Sequence, residues 1–209
     1  MSVKIKLCGM FRDDDIDYVN EALPDYIGFI VMFPKSHRNI DLETALRLKK
    51  RLDSRIRSVA VSVDAPVEQF AEFARSGAAD LLQLHGNENA EYIARLRTLT
   101  NAPLIKAVKV TDFSDIKAAE TLDADFLLLD SGTGSGKVFD HSVIQRDKIS
   151  KPFFLAGGLT PENLAQAARG VNPYGVDLSS GIETNKLKDR TKILAAVKAI
   201  HELRELKDG

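Results

Sequence analysis

The chain has 209 residues, of which 44% are hydrophobic and 28% are charged. These values are ordinary for a globular protein, so we exclude a disordered or fibrous chain and expect one sizeable core. Its 29 basic and 30 acidic side chains leave a formal net charge of −1, which predicts no general attraction to nucleic acid or to an anionic membrane surface.

Eight short apolar runs recur along the chain at a mean spacing of about 24 residues, close to the combined length of a strand, a helix and two turns. We predict β-strands at 3–8, 26–32, 58–63, 80–84, 104–108, 125–129, 153–156 and 174–178. The run Phe126–Leu129 is apolar at every position, which is typical of a strand buried on both faces of a parallel sheet.

Segments with helical periodicity separate these runs. The longest places Ile193, Val197 and Ile200 at spacings of three and four, as expected for a helix with one apolar face. The acidic residues 13–15 and the sequence Thr160–Glu162 mark helix starts. Strand and helix repeated eight times predict the α/β class, as a single-domain (β/α)₈ TIM barrel with a parallel eight-stranded sheet over residues 1–209. A doubly wound open sheet is the alternative that periodicity alone does not exclude.

The only cysteine, Cys8, cannot form an internal disulfide, which suits a reducing compartment. The first residues are too few and too charged for the apolar part of a signal peptide, and no apolar run reaches the length of a membrane span. We therefore expect a soluble, cytoplasmic protein.

Functional groups of a barrel gather at the C-terminal ends of its strands. Polar residues and glycines concentrate at those ends in this chain: Cys8, Arg38, His85, Asp130, Gly157, Gly158, Asp177, Ser179, Ser180 and Gly181. The glycine-containing loops after the seventh and eighth strands could be simple tight turns. Because both occur where barrels often hold phosphate, and because a glycine backbone can approach an anion closely, we predict a phosphate site there.

The glycine-rich segment Gly132–Lys137 does not match a nucleotide-binding motif. A Walker A motif would need glycine where Ser131 stands and serine or threonine where Val138 stands. The segment is therefore either a mobile loop that closes over a substrate or a flexible surface loop.

Five side chains are candidates for chemistry, each with a structural alternative. Cys8 is either a small buried hydrophobe or, with a lowered pKa, a base or nucleophile. Asp130 is either a capped core acid or a carboxyl whose raised pKa lets it donate a proton. Arg38 is a solvated charge or a bidentate partner for a carboxylate. His85 could be a capped, satisfied loop histidine, and it has no His, Cys or acid partner at metal-ligand spacing. Asp177 either caps a turn or binds a substrate hydroxyl.

Six motifs at the predicted strand ends occur in order: Lys6–Gly9, Phe33–Arg38, Leu82–Gly86, Gly134–Asp140, Ala156–Asn163 and Val176–Glu183. Together they closely resemble the phosphoribosylanthranilate isomerase family of tryptophan biosynthesis. Each motif alone is weak, but all six in order are highly specific. The resemblance implies a (β/α)₈ isomerase, monomeric or homodimeric, with a small-molecule phosphoribosyl substrate and with neither cofactor nor metal.

The resemblance also implies an acid and a base. The family converts N-(5-phosphoribosyl)anthranilate to 1-(2-carboxyphenylamino)-1-deoxyribulose 5-phosphate, an Amadori rearrangement. By resemblance, Asp130 is the general acid that protonates the furanose ring oxygen, and Cys8 is the general base that removes the proton from C2′. Such a pair needs Asp130 protonated while Cys8 is a thiolate.

Substrate contacts follow from the same resemblance. Arg38 would hold the anthranilate carboxylate, and the loops Gly157–Gly158 and Ser179–Gly181 would hold the phosphate. His85 and Asp177 would lie near the substrate.

The chain departs from the usual family pattern at His37, at His141, at Asn185–Lys186 and at Ser62–Asp64. We expect these changes to alter loop shape and the fine shape of the anthranilate pocket, and to leave the acid, base and anion sites intact.

Two rival functions stay open. One is another phosphosugar barrel enzyme, such as a ribulose-phosphate epimerase or an indole-glycerol-phosphate synthase, although the chain lacks the metal-binding histidines of the former and the N-terminal segment usual in the latter. The other is a barrel that binds a phosphosugar without catalysis, which activity measurements on acid and base variants would distinguish.

Overall fold

Eight parallel strands close into a barrel in the computed structural model, which describes residues 2–130 and 144–208. The strands are β1 (Lys4–Cys8), β2 (Tyr26–Val31), β3 (Arg57–Ser62), β4 (Leu81–Leu84), β5 (Leu104–Lys109), β6 (Phe126–Asp130), β7 (Phe153–Ala156) and β8 (Gly175–Leu178). Strand β1 pairs with both β2 and β8, placing Lys6 opposite Tyr26 and Lys4 opposite Gly175. The sheet is therefore closed, which confirms the predicted barrel and excludes the open sheet.

Seven α-helices lie in the described part of the chain: α1 (Asp13–Ala22), α2 (Leu42–Arg51), α3 (Val67–Arg75), α4 (Ala90–Leu99), α5 (Phe113–Glu120), α6 (Leu164–Val171) and α7 (Arg190–Asp208). Between β6 and β7 the described residues form only a 3₁₀ turn at Arg146–Lys148, so the predicted eightfold repeat of helices is not found there. The glycine-rich segment Gly132–Lys137 and His141 lie outside the described residues.

Local capping explains several helix starts. Asp41, Asn89 and Asp112 each accept a hydrogen bond from a backbone N–H in the first turn of α2, α4 and α5, which satisfies donors that lack a partner within the helix. The predicted start at Thr160 is early, because a turn closed by the Thr160 carbonyl precedes α6, and the regular helix begins at Leu164.

Two apolar layers hold the barrel. Side chains on the outer face of the strands, such as Leu7, Phe29 and Leu127, are fully buried against the helices. A second cluster fills the barrel interior and includes Val59 and Leu128. Strand residues are therefore buried on both faces, which is why the strands read as continuous apolar runs.

Aromatic rings close the N-terminal end of the barrel. Tyr26, Phe126, Phe154 and Tyr174 contact one another, with ring centroids 5.1–5.9 Å apart, a normal separation for aromatic pairs. The two tyrosine hydroxyls lie 2.8 Å apart and share a hydrogen bond. Gly175 leaves the space that Phe154 occupies, since a β-carbon there would lie 2.8 Å from the ring. Among the described residues, these rings therefore fill the barrel interior at its N-terminal end.

In the described residues, no helix is long and apolar enough to cross a bilayer.

Candidate active site

A cavity of about 440 Å³ opens at the C-terminal end of the barrel. Nine of the ten predicted site residues line it: Cys8, Arg38, His85, Asp130, Gly157, Gly158, Asp177, Ser179 and Ser180. The tenth, Gly181, belongs to the same loop as the two serines. The structure thus brings together residues from six strand ends at one mouth of the barrel.

Cys8 is the last residue of β1, points into the barrel and is 6% exposed. It lies opposite Gly28 of β2, and a β-carbon on Gly28 would lie 2.7 Å from the Cys8 sulfur. The following residue, Gly9, has φ of +84°, a conformation that favours glycine. The N–H groups of Gly9 and Met10 both donate to the Gly28 carbonyl. These contacts end the strand at the thiol and fix it at the cavity floor.

Burial raises the pKa of the Cys8 thiol, while the Lys6 and Lys188 ammonium groups favour the thiolate and oppose that effect. The sequence-based interpretation required a lowered pKa for Cys8. The structure differs because the thiol is almost fully removed from water, which disfavours the charged form.

Lys6 was not among the predicted site residues, yet it lies at the centre of the barrel. Its side chain is 0% exposed, and its Nζ donates a 3.0 Å hydrogen bond to Asp177 Oδ1. Burial disfavours the ammonium, but the Asp177 carboxylate and Cys8 outweigh this effect, and the pKa of Lys6 is raised. A lysine two residues before Cys8 on the same strand shares its face, and this spacing was the signal available in the sequence.

Arg38 forms a bidentate ion pair with Glu183: Nε donates to Oε1 and Nη2 donates to Oε2, both at 2.6 Å. Lys188 Nζ also lies 2.7 Å from Glu183 Oε1 and donates to the Ser179 carbonyl at 3.0 Å. Burial alone would raise the pKa of Glu183, but the two cations lower it to about 2. The sequence analysis did not identify Glu183 and Lys188 as parts of the site. Arg38 is fixed by its ion pair with Glu183 and is not a solvated charge.

A tight hairpin supplies Glu183 and Lys188. Its two strands, Glu183–Thr184 and Leu187–Lys188, are joined by Asn185 and Lys186, which have φ of +52° and +64°. Both residues lie in the left-handed region required by a two-residue type I′ turn. His37 Nε2 lies 3.1 Å from the Lys186 carbonyl oxygen. Two of the departures from the family pattern are therefore in contact with each other.

His85 and Asp130 face each other across the cavity, with His85 Nε2 3.7 Å from Asp130 Oδ2. The buried Gln83 places its amide nitrogen 2.9 Å from His85 Nδ1. With Gln83 as the donor, Nδ1 is the acceptor, and the proton of a neutral imidazole is on Nε2, directed toward Asp130.

A buried ion pair supports the loop that carries His85. Lys106 Nζ lies 2.7 Å from Glu88 Oε2 and 2.6 Å from the Gly86 carbonyl. Glu88 also accepts hydrogen bonds from the N–H groups of Asp64 and Gly86. Asp64, one of the departures from the family pattern, has φ of +50° and accepts from Asn87 N–H. This network fixes the loop after β4 against the loop after β3.

The two predicted phosphate loops contact each other through backbone atoms. Gly157 and Gly158 have φ of +99° and +65°. A β-carbon on Gly181 would lie 2.0 Å from the Leu159 carbonyl oxygen, so only glycine fits there. The Ser179 hydroxyl donates to the Cys8 carbonyl at 3.3 Å. The loops therefore form one continuous rim beside the thiol.

A family model described as "PRAI: N-(5'phosphoribosyl)anthranilate (PRA) isomerase" matches residues 5–199. An N-(5'-phosphoribosyl)anthranilate isomerase from Endomicrobium trichonymphae is 44% identical and covers 96% of this chain and 99% of its own length. An enzyme of the same name from Thermoanaerobacter sp. is 38% identical over 97% of this chain and 100% of its own length.

Solved structures give the same result. The phosphoribosyl anthranilate isomerase from Thermotoga maritima is 33% identical, has a TM-score of 0.85 and covers 96% of this chain and 99% of its own. A phosphoribosyl anthranilate isomerase in complex with reduced 1-(o-carboxyphenylamino)-1-deoxyribulose 5-phosphate is 32% identical, has a TM-score of 0.83 and shows the same coverage.

Proposed function

The chain belongs to the N-(5'-phosphoribosyl)anthranilate isomerase family, and we propose that its cavity catalyses the reaction of that name by general acid–base catalysis. The substrate is N-(5-phosphoribosyl)anthranilate, the product is 1-(2-carboxyphenylamino)-1-deoxyribulose 5-phosphate, and the pathway is tryptophan biosynthesis. The reaction is an Amadori rearrangement, in which an aminoaldose becomes an aminoketose without net oxidation.

Asp130 is the general acid in this proposal. Protonation of the furanose ring oxygen breaks the bond between that oxygen and C1′, and the nitrogen lone pair forms an iminium. The support is the position of Asp130 at the end of an apolar strand, on the cavity wall and 3.7 Å from the His85 ring. The Nε2–H of a neutral His85, on the side that faces Asp130, favours the carboxylate that remains after the transfer.

Cys8 is the general base. Removal of the C2′ proton by the thiolate converts the iminium to an enolamine, which tautomerises to the ketone. The support is the placement of the thiol on the cavity floor with positive charge beside it, in Lys6 and Lys188. Asp130 stands on β6 and Cys8 on β1, so the two groups act from different sides of the barrel mouth.

The substrate carries an anion at each end, a carboxylate and a phosphate. We assign the anthranilate carboxylate to Arg38, whose Nε and Nη2 pair with Glu183. This leaves the Nη1 side of the guanidinium fork for a second carboxylate. We assign the phosphate to the loops Gly157–Gly158 and Ser179–Gly181, where the glycine backbone allows close approach. We assign Asp177, which lines the same cavity, to a ribose hydroxyl.

A reactive thiol without a disulfide partner requires a reducing environment. We therefore place the enzyme in the cytoplasm.

The observation that carries the proposal is the meeting of Cys8, Asp130 and Arg38 in one cavity whose other rim is glycine-rich. The test is an anthranilate-fluorescence assay that follows the decay of N-(5-phosphoribosyl)anthranilate with purified protein. We expect turnover that falls in Cys8→Ala and in Asp130→Asn. Binding of the product without turnover would instead support the non-catalytic phosphosugar-binding barrel.

A further inference from the structure

Cys8 is surrounded by charges that come from four separate elements. Lys6 of β1 pairs with Asp177 of β8, and directly after Cys8 a β-carbon on Gly9 would lie 2.5 Å from Arg38 Cδ and 3.5 Å from Lys188 Nζ. Asp177 also faces Asp130 and His85 across the cavity. The protonation state of Cys8 is therefore set by this group of charges rather than by any one neighbour.

The charges in this group do not balance while the thiol is neutral. Among the described residues, three cations surround Cys8, and two carboxylates pair with them: Asp177 with Lys6, and Glu183 with both Arg38 and Lys188. With Asp130 in the protonated form that the proposed reaction needs, one positive charge is left over, which a thiolate would neutralise. An uncompensated charge in a buried cluster is costly, so the cations around Cys8 oppose the effect of burial, which raises the pKa of the thiol.

Lys6 is the one of these three cations that does not pair with Glu183. A β-carbon built on Gly28 would lie 2.7 Å from the Cys8 sulfur and 3.3 Å from Lys6 Nζ, so the two atoms share the small space that the missing side chain leaves. Arg38 and Lys188 are both committed to Glu183. The Lys6 side chain is fully buried, where a charge acts with little screening from water.

We propose that Lys6 is a positioning residue for the base: its buried ammonium stabilises the Cys8 thiolate, and Asp177 moderates that effect by pairing with Lys6. This inference rests on the proposed role of Cys8 and adds the group that makes an almost fully buried thiol usable as a base. No bond is made or broken by Lys6, and it keeps its proton throughout.

The test is a titration of the thiol itself, followed by the ultraviolet absorbance of the thiolate and by the rate of alkylation with iodoacetamide. Because Cys8 is the only cysteine, both signals report this residue alone, after subtraction of the Cys8→Ser background. Lys6→Met should raise the midpoint of thiolate formation by at least about one pH unit, as loss of an adjacent opposite charge does. The acid limb of the kcat/KM profile should move by the same amount.

Two further variants serve as a control and as a second, independent test. Lys4→Met is the matched control, because Lys4 is on the same strand but is 37% exposed at the other end of the barrel and pairs with Asp25; the midpoint should not move. Asp177→Asn should shift the midpoint in the opposite direction, to lower pH, because it removes the anion beside the thiol. If Lys6→Met does not fold, this lowering remains the test.

An unchanged midpoint in Lys6→Met, or an unchanged or higher midpoint in Asp177→Asn, would show that the buried pair only holds the barrel together and would overturn the inference. Failure of the proposed base is seen separately, as near-normal turnover in Cys8→Ala.

Discussion

The two ends of this barrel interior are built from the same strands but from different chemistry. At the N-terminal end, the rings of Tyr26, Phe126, Phe154 and Tyr174 pack against one another. At the C-terminal end the interior holds charged and polar groups around an open cavity. The contrast separates two tasks: apolar packing at one end stabilises the fold, and polar groups at the other are held in place by it.

Strand β1 shows this division along a single segment. Its inward positions are Lys4, Lys6 and Cys8, at the exposed lower end, the buried centre and the cavity floor. Lys4 pairs with Asp25, which Arg204 also contacts, so its charge is shared and partly solvated. Lys6 has Asp177 as its carboxylate partner and is fully buried. Identical side chains two residues apart therefore have different consequences, because solvent screens one charge and not the other.

The largest expected effect is on chemistry at the open end. Asp130→Asn keeps the size and polarity of the side chain but cannot donate the proton that opens the furanose ring. We expect kcat to fall by about 10²–10⁴, the range for loss of a general acid, with product affinity little changed. Steady-state kinetics and a product titration measure the two quantities. A normal kcat with a raised KM would mean that Asp130 binds substrate and does not protonate it.

A variant at the N-terminal end of the barrel tests whether that end serves stability and not catalysis. Phe154→Ala removes a fully buried ring that contacts three other aromatic side chains. We expect the free energy of unfolding to drop by about 3–5 kcal/mol, measured by denaturant titration. The fraction that remains folded should keep nearly normal kcat. A large loss of kcat in folded protein would break the division of tasks between the two ends.

A third variant tests the orientation of the substrate. Arg38→Ala should weaken product binding by about 1.5–3 kcal/mol, the range for a hydrogen bond to a charged group. Lys35→Ala, on the same loop, is the matched control and should cost less, since a point charge pairs less well with a carboxylate than a planar fork does. Inorganic phosphate should compete equally well with wild type and Arg38→Ala. Joint loss of phosphate and product affinity would reverse the orientation.

The smallest expected effect concerns the hairpin that holds Arg38 through Glu183. Lys186 has φ of +64°, which is unfavourable for a lysine and not for glycine. Lys186→Gly should therefore raise the free energy of unfolding by about 0.5 kcal/mol, the strain relieved less the entropy that glycine loses on folding. Asn185→Gly should gain less, because asparagine tolerates this conformation. Thermal unfolding of both variants compares them directly; destabilisation by Lys186→Gly would contradict the strain argument.

Much of the fold could be predicted from the spacing of apolar runs. The predicted strand 153–156 matches β7 at both ends, and each of the other strands differs by one residue at one or both ends. The predicted helix between β6 and β7 is not found in the described residues. The number of residues between two apolar runs does not determine which secondary structure those residues form. The described part of that connection contains only the 3₁₀ turn Arg146–Lys148.

The predicted site residues do converge on one cavity, because barrel topology brings all strand ends together. The ion pairs that hold these residues in place were not predicted. Lys6 and Asp177 are 171 residues apart, and Arg38 and Glu183 are 145 apart, so only closure of the barrel makes them neighbours. The raised pKa of Cys8 also depends on burial of the thiol, which a sequence motif does not reveal.

The central claim is that the buried thiol at the open end is the base of the reaction and has no part in holding the fold. Kinetics and denaturant unfolding of Cys8→Ala test it most directly, since replacing a thiol by a hydrogen removes little volume. We predict that kcat falls by at least about 10² while the free energy of unfolding changes by less than about 1 kcal/mol, as expected for so small a deletion. Near-normal turnover by the folded variant would contradict the claim.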